Sequence, residues 1–342
     1  MPTISDVAKL AGVSISTVSY ALSGKRPVSP PTRQKISEAI DKLGFEVTAG
    51  ARMLASSKTG IFALCAPLHS HTYPISFMTF VLAIAKAARE EAKDLLLITE
   101  DQAESVKEIR RLARSQLIDG AILMDVSRDD VRCQEVSQLG IPAVFIGIPK
   151  EDPEFHCVDL DLRQAAFLAI DELANHGHTS VGFLGHPRAI YEKKLNFAYR
   201  TKDAFFQMAH QKGMSAQFYY SEEESIFQAL QASILPFSAL VFDCGENFAR
   251  QVINYIRNSQ NGALTHSSLG TPLSLLSLAS SYDTDTISPP VDTIPLEAEK
   301  SGRLAVHLLN GQVSKRTAPA IHLYEPRYLH RGSLHYLDGG EK

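Results

Sequence analysis

The sequence predicts an α/β protein in three parts: a small N-terminal head of three helices containing a helix-turn-helix, a connecting helix, and a large body of two Rossmann-like lobes. Three observations predict this. Residues 1–60 carry helix caps and helical apolar spacing, whereas from Ile61 onward short continuous apolar runs alternate with amphipathic segments. Charge divides the chain at the same place. Residues 1–60 hold eight Lys/Arg against four Asp/Glu, a net of +4 on a chain whose formal charge is −4, so the remainder is near −8. The length, 342 residues with 44% hydrophobic, suffices for one small domain and one large two-lobed one.

In the head, Thr3 and Asp6 have the spacing of a capping box, with the acid one methylene shorter than usual. Val7, Ala8 and Leu10 supply the apolar face of a first helix, which Gly12 stops. Gly12-Val13-Ser14 makes a tight turn, and a second helix runs from about Ser16 to Leu22 with Val18 and Leu22 expected to face inward. Its other face carries Ile15, Ser16, Thr17, Ser19 and Tyr20, side chains suited to base edges in a major groove. A third helix follows from the N-cap Ser29 and Pro30, with Ile36, Ala39, Ile40 and Leu43 as its stripe and Gly44 as its end. A helical bundle with no DNA role would share this pattern; the basic head on an acidic body favours one end that binds phosphates.

The connector, residues 47–60, is rich in small residues, and Gly50 costs about 1 kcal/mol relative to Ala in a helix interior. Alone it is a marginal helix or a linker. In the body, strands are expected at Ile61–Ala66, Leu95–Ile98, Gly120–Met124, Ala143–Ile146, Val181–Leu184, Ala239–Phe242 and Leu275–Ala279, with a helix from Phe77 to Ala92 between the first two. Apolar strands separated by helices indicate parallel sheets covered on both faces. Ligand is then expected at the carboxyl ends of the strands, where Asp125 and Asp243 directly follow their strands.

Several function classes lack their signatures. No dinucleotide fingerprint, phosphate-binding Gly-Lys-Ser/Thr loop or Gly-x-Ser-x-Gly elbow occurs, so an enzyme is not expected and no cofactor is implied. The four cysteines, Cys65, Cys133, Cys157 and Cys244, show no Cys-x-x-Cys spacing and read as reduced thiols of a cytoplasmic protein. His69 and His71 flank one residue in a loop, a weak metal signal, and no metal is expected. Neither a signal peptide nor an apolar run of membrane-spanning length is seen, so no membrane partner is expected. Trp is absent, so a bound sugar would have to stack on Phe or Tyr.

Residues 3–58 resemble the headpiece of the lactose-repressor (LacI/GalR) family of bacterial transcription regulators. The resemblance is carried by Asp6-Val7-Ala8, Ala11-Gly12-Val13-Ser14, Thr17-Val18-Ser19, Val28-Ser29, Thr32-Arg33, Leu43-Gly44-Phe45 and Ala51-Arg52-Met53-Leu54, and continues more loosely to about residue 334. It implies a headpiece over 1–46, a hinge helix and linker over 47–60, and a periplasmic-binding-protein-like effector domain over 61–342. Within that domain the first lobe is expected at about 61–160 and 291–323, and the second at about 161–290 and 324–342. It further implies that Ser5, Ser14, Thr17, Ser19, Thr32 and Arg33 set the register on phosphates while Ile15, Ser16 and Tyr20 read bases. Arg52 and Leu54 fall on the hinge positions that enter the minor groove, Leu54 as the wedge. Val47-Thr48 stands where the family usually has Pro-Asn, so hinge ordering should depend more sharply on DNA.

For the effector, the resemblance points to Asp125 with Arg132, to Asp243, and to Arg200 or Lys202 near the family's cleft arginine. Ala279 stands where a sugar-binding Asp is common, which shifts that contact to Ser280 or Tyr282 and favours a β-glucoside or other oligosaccharide over a lactose-type ligand. The expected whole is a homodimer, paired through the helix near Phe77–Glu90, on a pseudo-palindromic operator: a repressor of a carbohydrate utilisation operon released by a sugar. A purine-type corepressor protein of the same fold and a sugar-binding protein without DNA function are the alternatives.

Overall fold

The computed structural model describes residues 2–23, 26–45, 58–69, 72–149, 154–231, 236–258, 272–315 and 317–337. The head is built from α1 (Ile4–Ala11), α2 (Ile15–Ser23) and α3 (Pro30–Leu43). Both halves of the Thr3/Asp6 capping box form, and Gly12 closes α1 in the left-handed region at φ 67°. Val7, Ala8, Val18, Ile36, Ala39 and Phe45 make a separate small core. Two expected core positions are corrected: Leu10 is 45% and Leu22 36% exposed. Ala11 and Ala21, one residue away in each case, pack on that core instead.

The body contains two all-parallel sheets. The first comprises β1 (Ile61–Cys65), β2 (Asp94–Ile98), β3 (Gly120–Leu123), β4 (Ala143–Ile146), β5 (His156–Leu160) and β11 (Ile321–Tyr324), in the order β11-β5-β4-β3-β1-β2. The second comprises β6 (Ser180–Gly185), β7 (Ser215–Tyr220), β8 (Ala239–Phe242), β9 (Ser274–Ser280) and β10 (Asp292–Pro295), in the order β10-β9-β8-β6-β7. The intervening helices are α4 (Pro74–Glu90), α5 (Gln102–Arg114), α6 (Val131–Leu139), α7 (Leu162–Asn175), α8 (Arg188–Glu192), α9 (Asn196–Gln211), α10 (Ser225–Leu230), α11 (Glu246–Asn258) and α12 (Ala298–Ser314).

The chain crosses between sheets after β5, after β10 and again after β11. The second crossing comes after Pro295, not at residue 291, because Asp292–Pro295 pairs in parallel with β9. α12 then packs on α4 and closes the core of the first lobe through Ala305, Val306 and Leu309. The tail returns to the second lobe, where buried Asp292 accepts hydrogen bonds from the backbone N–H groups of Gly332 and Leu334 at 2.8 and 3.0 Å.

β5, β7, β10 and β11 have no counterpart among the strands expected from sequence. β7 and β11 are half-exposed edge strands, and β5 interrupts its apolar run with buried His156 and Asp159. Polar partners make that burial tolerable: His156 bonds His322 (3.1 Å) and Thr317 (2.9 Å), and Asp159 pairs with Arg200.

Candidate functional site

In the head, the turn preceding α2 is held by Ser14, whose hydroxyl accepts the backbone N–H of Thr17 (3.1 Å) and lies 2.8 Å from the hydroxyls of Ser16 and Thr17. This leaves Ile15, half exposed, and Ser16 on the open face of α2. Tyr20 is partly buried, with the Arg26 guanidinium 5.2 Å from its ring centroid. Arg26 was not singled out from sequence; its place in a loop six residues after Tyr20 gave no helical spacing to find it by. Ser5 and Arg33 are exposed in the first turns of α1 and α3, and Thr32 bonds the Ser29 hydroxyl at 2.8 Å. Ser29 therefore precedes α3 without capping it through its side chain. Thr17 and Ser19 are half-buried at the edges of the same face. Arg52 and Leu54, with most of the expected hinge, lie outside the described residues, as does His71. The connector's end is fixed, however: the backbone N–H groups of Thr59 and Gly60 donate to the Asp119 carboxylate at 2.6 and 2.9 Å, at the entry to β3.

In the body, the carboxyl ends of both sheets converge on one cavity of about 170 Å³. Carboxylates enter it from both lobes: Asp125 and Asp159 from the first, Asp243 from the second. Tyr73, Phe77, Phe80 and Phe197 give it aromatic walls, and His186, Thr201 and Ser281 add polar groups. The lobes are closed on one another. Tyr73, just ahead of α4, lies against Gly245 of the second lobe so tightly that a β-carbon there would fall 2.2 Å from the ring, and its hydroxyl is 3.3 Å from that of Ser221. Ser76 bonds Ser281, Asn196 bonds the Ile148 carbonyl through its side chain, and the Asn196 backbone N–H donates to the Val126 carbonyl at 2.9 Å.

Asp125 sits in the left-handed region at φ 51°, an uncommon conformation that aspartate tolerates better than most residues. Its carbonyl is pinned by Gln102 Nε2 at 2.7 Å and Arg132 Nη2 at 3.3 Å. Burial pushes its carboxyl up to about 6, against the opposing pull of Arg132, Lys193 and His186. Asp243 is buried beside His186, whose Nε2 lies 3.5 Å from Oδ1. Among the described residues, neither Asp243 Oδ2 nor His186 Nδ1 has a hydrogen-bond partner, although both are buried.

Asp125 and Asp243 therefore line the cavity as expected from their strand ends, whereas five other residues are placed differently. Arg132 is fully buried behind the end of β3, forked onto Asp130 and bonded to the Met124 carbonyl at 2.8 Å, so it positions the Asp125 loop. Arg200 reaches the cavity only through Asp159, which it pairs across the lobes. Lys202 lies over the Phe218 ring at 4.4 Å, within the second lobe. Tyr282 is buried against Ser277, because the chain turns inward after β9; Ser281 faces the cavity in its stead. Ser280 is likewise turned away, bonded to Thr293 at 2.7 Å. His186 was missed, although it directly follows β6, the same signal that marks Asp125 and Asp243.

The described residues gather no set of three His, Cys, Asp or Glu side chains fit to hold a metal. Nor is any helix among them long and apolar enough to cross a membrane.

Comparison with known proteins agrees with this architecture. Residues 3–47 match the family of bacterial regulatory proteins of the lacI type. Residues 61–222 match the periplasmic binding proteins and sugar-binding domain of the LacI family, and residues 170–334 match a periplasmic binding protein-like domain. Catabolite control protein A of Priestia megaterium is 30% identical over 202 residues, 58% of this chain and 59% of that one. The transcriptional regulator CelR of Thermobifida fusca is 28% identical over 193 residues, 55% and 56% of the two chains. The chain thus spans somewhat over half the length of the curated relatives it matches. A lac repressor dimer bound to operator and an anti-inducer shares the fold with a TM-score of 0.78 at 18% identity, covering 98% of this chain and 99% of that one. A CelR–cellobiose complex does so at 0.63 and 20% identity, covering 97% and 100%. With a lacI-type helix-turn-helix followed by a periplasmic-binding-protein-like body, this chain belongs to the LacI family.

Proposed function

We propose that this chain is a sequence-specific DNA-binding transcription regulator, a cytoplasmic repressor of a carbohydrate utilisation operon that a sugar effector releases. The observation that carries the reading is the pairing, in one chain, of an open reading face on α2 with an interlobe cavity walled by aromatics and carboxylates. Aromatic faces stack on sugar rings, and carboxylates accept from their hydroxyls. The cellobiose held by the CelR structure supports a sugar for this cavity too, and Ala279 favours a β-glucoside or other oligosaccharide over a lactose-type ligand. At about 170 Å³ the closed cavity admits one ring, so a longer sugar requires the lobes to part.

The chain divides functionally into a head (1–46), a connector (47–60) and an effector domain (61–342). Coupling runs through Asp119, which ties the connector to the strand that also presents Asp125 at its far end. A ligand that changes lobe closure then changes where two connectors are held relative to one another, with a coupling of about 1–3 kcal/mol. That requires a dimer. Ile75, Met78 and Leu82 leave an apolar stripe exposed on α4, at helical spacing, as a surface for the second copy. Two heads related by that two-fold axis call for a pseudo-palindromic operator.

The test is fluorescence anisotropy of a labelled pseudo-palindromic operator pool at fixed salt, with and without a panel of sugars and purines. Release of specifically bound DNA by a sugar supports the reading. Tightening by a purine replaces it with corepression, and absence of specific DNA binding overturns it.

A further inference from the structure

We propose that the interlobe cavity selects a sugar ring bearing a protonated amine over the matching neutral and phosphorylated sugars. This rests on the sugar-regulator reading and deepens it by naming the charge of the ligand. The starting point is a charge imbalance inside a closed space. Three aspartates line the cavity, and among the described residues no lysine or arginine does. Asp159 is compensated by Arg200, whereas Asp243 has beside it the His186 imidazole, 3.5 Å from its Oδ1 and a countercharge only when protonated. Of the three groups that pull the Asp125 carboxyl down, Arg132 is buried behind it and committed to Asp130, Lys193 is exposed to solvent, and His186 lies beside Asp243. Asp243 is 4% exposed, and its Oδ2 has no partner among the described residues.

A buried carboxylate oxygen without a donor is costly, and the cost falls when a ligand supplies both a donor and a countercharge. A neutral sugar brings hydroxyl donors without the charge. A phosphate would add negative charge beside Asp125 and Asp243, with no lysine or arginine among the described wall residues to receive it. An ammonium group answers both needs, since it offers three donors and a positive charge at once. The rest of the wall favours the same ligand. Tyr73, Phe77, Phe80 and Phe197 line the cavity, and a cation within about 6 Å of a ring centroid is attracted by its face. Size limits the choice to a compact group, for a cavity of roughly 150 Å³ takes one small ring and this one is about 170 Å³. Asp243, reached from the second lobe, is the carboxylate assigned to the ammonium; Asp125 faces it from the first.

The experiment measures affinity by calorimetry on the full-length protein, with matched ligands: D-glucosamine against D-glucose, D-galactosamine against D-galactose, and N-acetyl-D-glucosamine, glucose 6-phosphate and cellobiose as controls. The expected result is at least tenfold tighter binding of one amine than of its neutral partner, with weaker binding of the acetylated and phosphorylated forms. Asp243→Asn should cost the amine at least tenfold more affinity than its neutral partner, so that the preference falls to about onefold, and its melting temperature confirms that it folds; an equal loss for both members of the pair would remove Asp243 as the source of the preference. Equal affinities within each pair, preference for glucose 6-phosphate, or failure of every amine to bind overturns the proposal. Because operator binding is scored separately by anisotropy, a neutral sugar that releases DNA would sink the amine assignment and leave the regulator reading standing. Loss of specific operator binding would instead count against that reading.

Discussion

The head and the interlobe cavity present two opposite ways of making a binding site. In the head, Ile15, Ser16 and Tyr20 lie within six residues on one helix, and the turn that aims them is built by neighbours, Ser14 bonding Thr17 and Ser16. In the cavity, Asp125, His186 and Asp243 come from three separate strand ends on two sheets and Tyr73 from the start of α4, and each is held by residues far away in sequence. A locally built site can be altered one contact at a time. A site assembled from strand ends fails when any buried support fails, because the support also holds the fold.

The largest effect is therefore expected in the body, at Arg132. Arg132→Ala leaves Asp130 buried without its partner and strips the Met124 and Asp125 carbonyls of a donor. Breaking a buried pair by removing one partner costs about 3–5 kcal/mol. Arg132→Lys should recover little, since an ammonium cannot make the same fork. Urea unfolding of the body should show the loss, while hydrogen exchange at Val18 and Ile36, in the head's separate core, stays unchanged. If exchange in the head rises equally, the two regions are not independent.

The next effect sharpens the comparison from the other side. Tyr20→Arg should change the preferred half-site, with a discrimination of about 1–3 kcal/mol for a new bidentate base contact. If Arg33 contacts phosphate, as the family resemblance implies, Arg33→Ala should weaken all sequences alike and reduce the salt slope by about one. Neither should alter ligand affinity measured on the protein without DNA. A binding-site library that shows uniform losses for Tyr20→Arg would remove it from the base-reading set.

The same contrast governs what could be read from sequence. The helices of the head and the turn before α2 were legible because capping, turn glycines and helical spacing are local rules, and Thr3, Gly12 and Gly44 obey them. Half of the cavity was legible by one general rule: a polar residue directly after an apolar strand faces the cleft, which finds Asp125 and Asp243. His186 obeys it too and was overlooked. The rest was not readable, since nothing local says that Arg200 will spend its charge on Asp159, or that Arg132 will sit behind a strand rather than in front of it. Tyr73 reaches the cavity through a lobe closure that only tertiary packing against Gly245 reveals.

A smaller effect concerns pH. Burial raises the carboxyl of Asp125 to about 6, so its contribution to stability is full below the unfolded value near 3.8 and is lost as pH rises through about 6. Asp125→Asn should accordingly raise the melting temperature of the unliganded protein at pH 7, by about 1–2 °C for each kcal/mol of penalty removed in a chain of this size. The gain should vanish toward pH 4. A gain that instead grows with acid would mean that the carboxylate is stabilised in the folded protein.

Asp6, in the head, has the opposite sign, and this makes the smallest effect the most discriminating. Its hydrogen bonds with Thr3 hold the carboxyl below the usual value, so the capping box contributes above about pH 4 and is lost as pH falls. Thr3→Ala removes the hydroxyl that accepts from the Asp6 backbone and should cost the head about 0.5–1 kcal/mol. Acidification from pH 7 to pH 5 should then favour the body through Asp125 while leaving the head nearly untouched, and further acidification should weaken the head first. Residue-resolved hydrogen exchange across that range would separate the two. A head that loosens between pH 7 and pH 5 would show that its stability depends on a group beyond its own capping box, and that the locally built site is less self-sufficient than its hydrogen bonds imply.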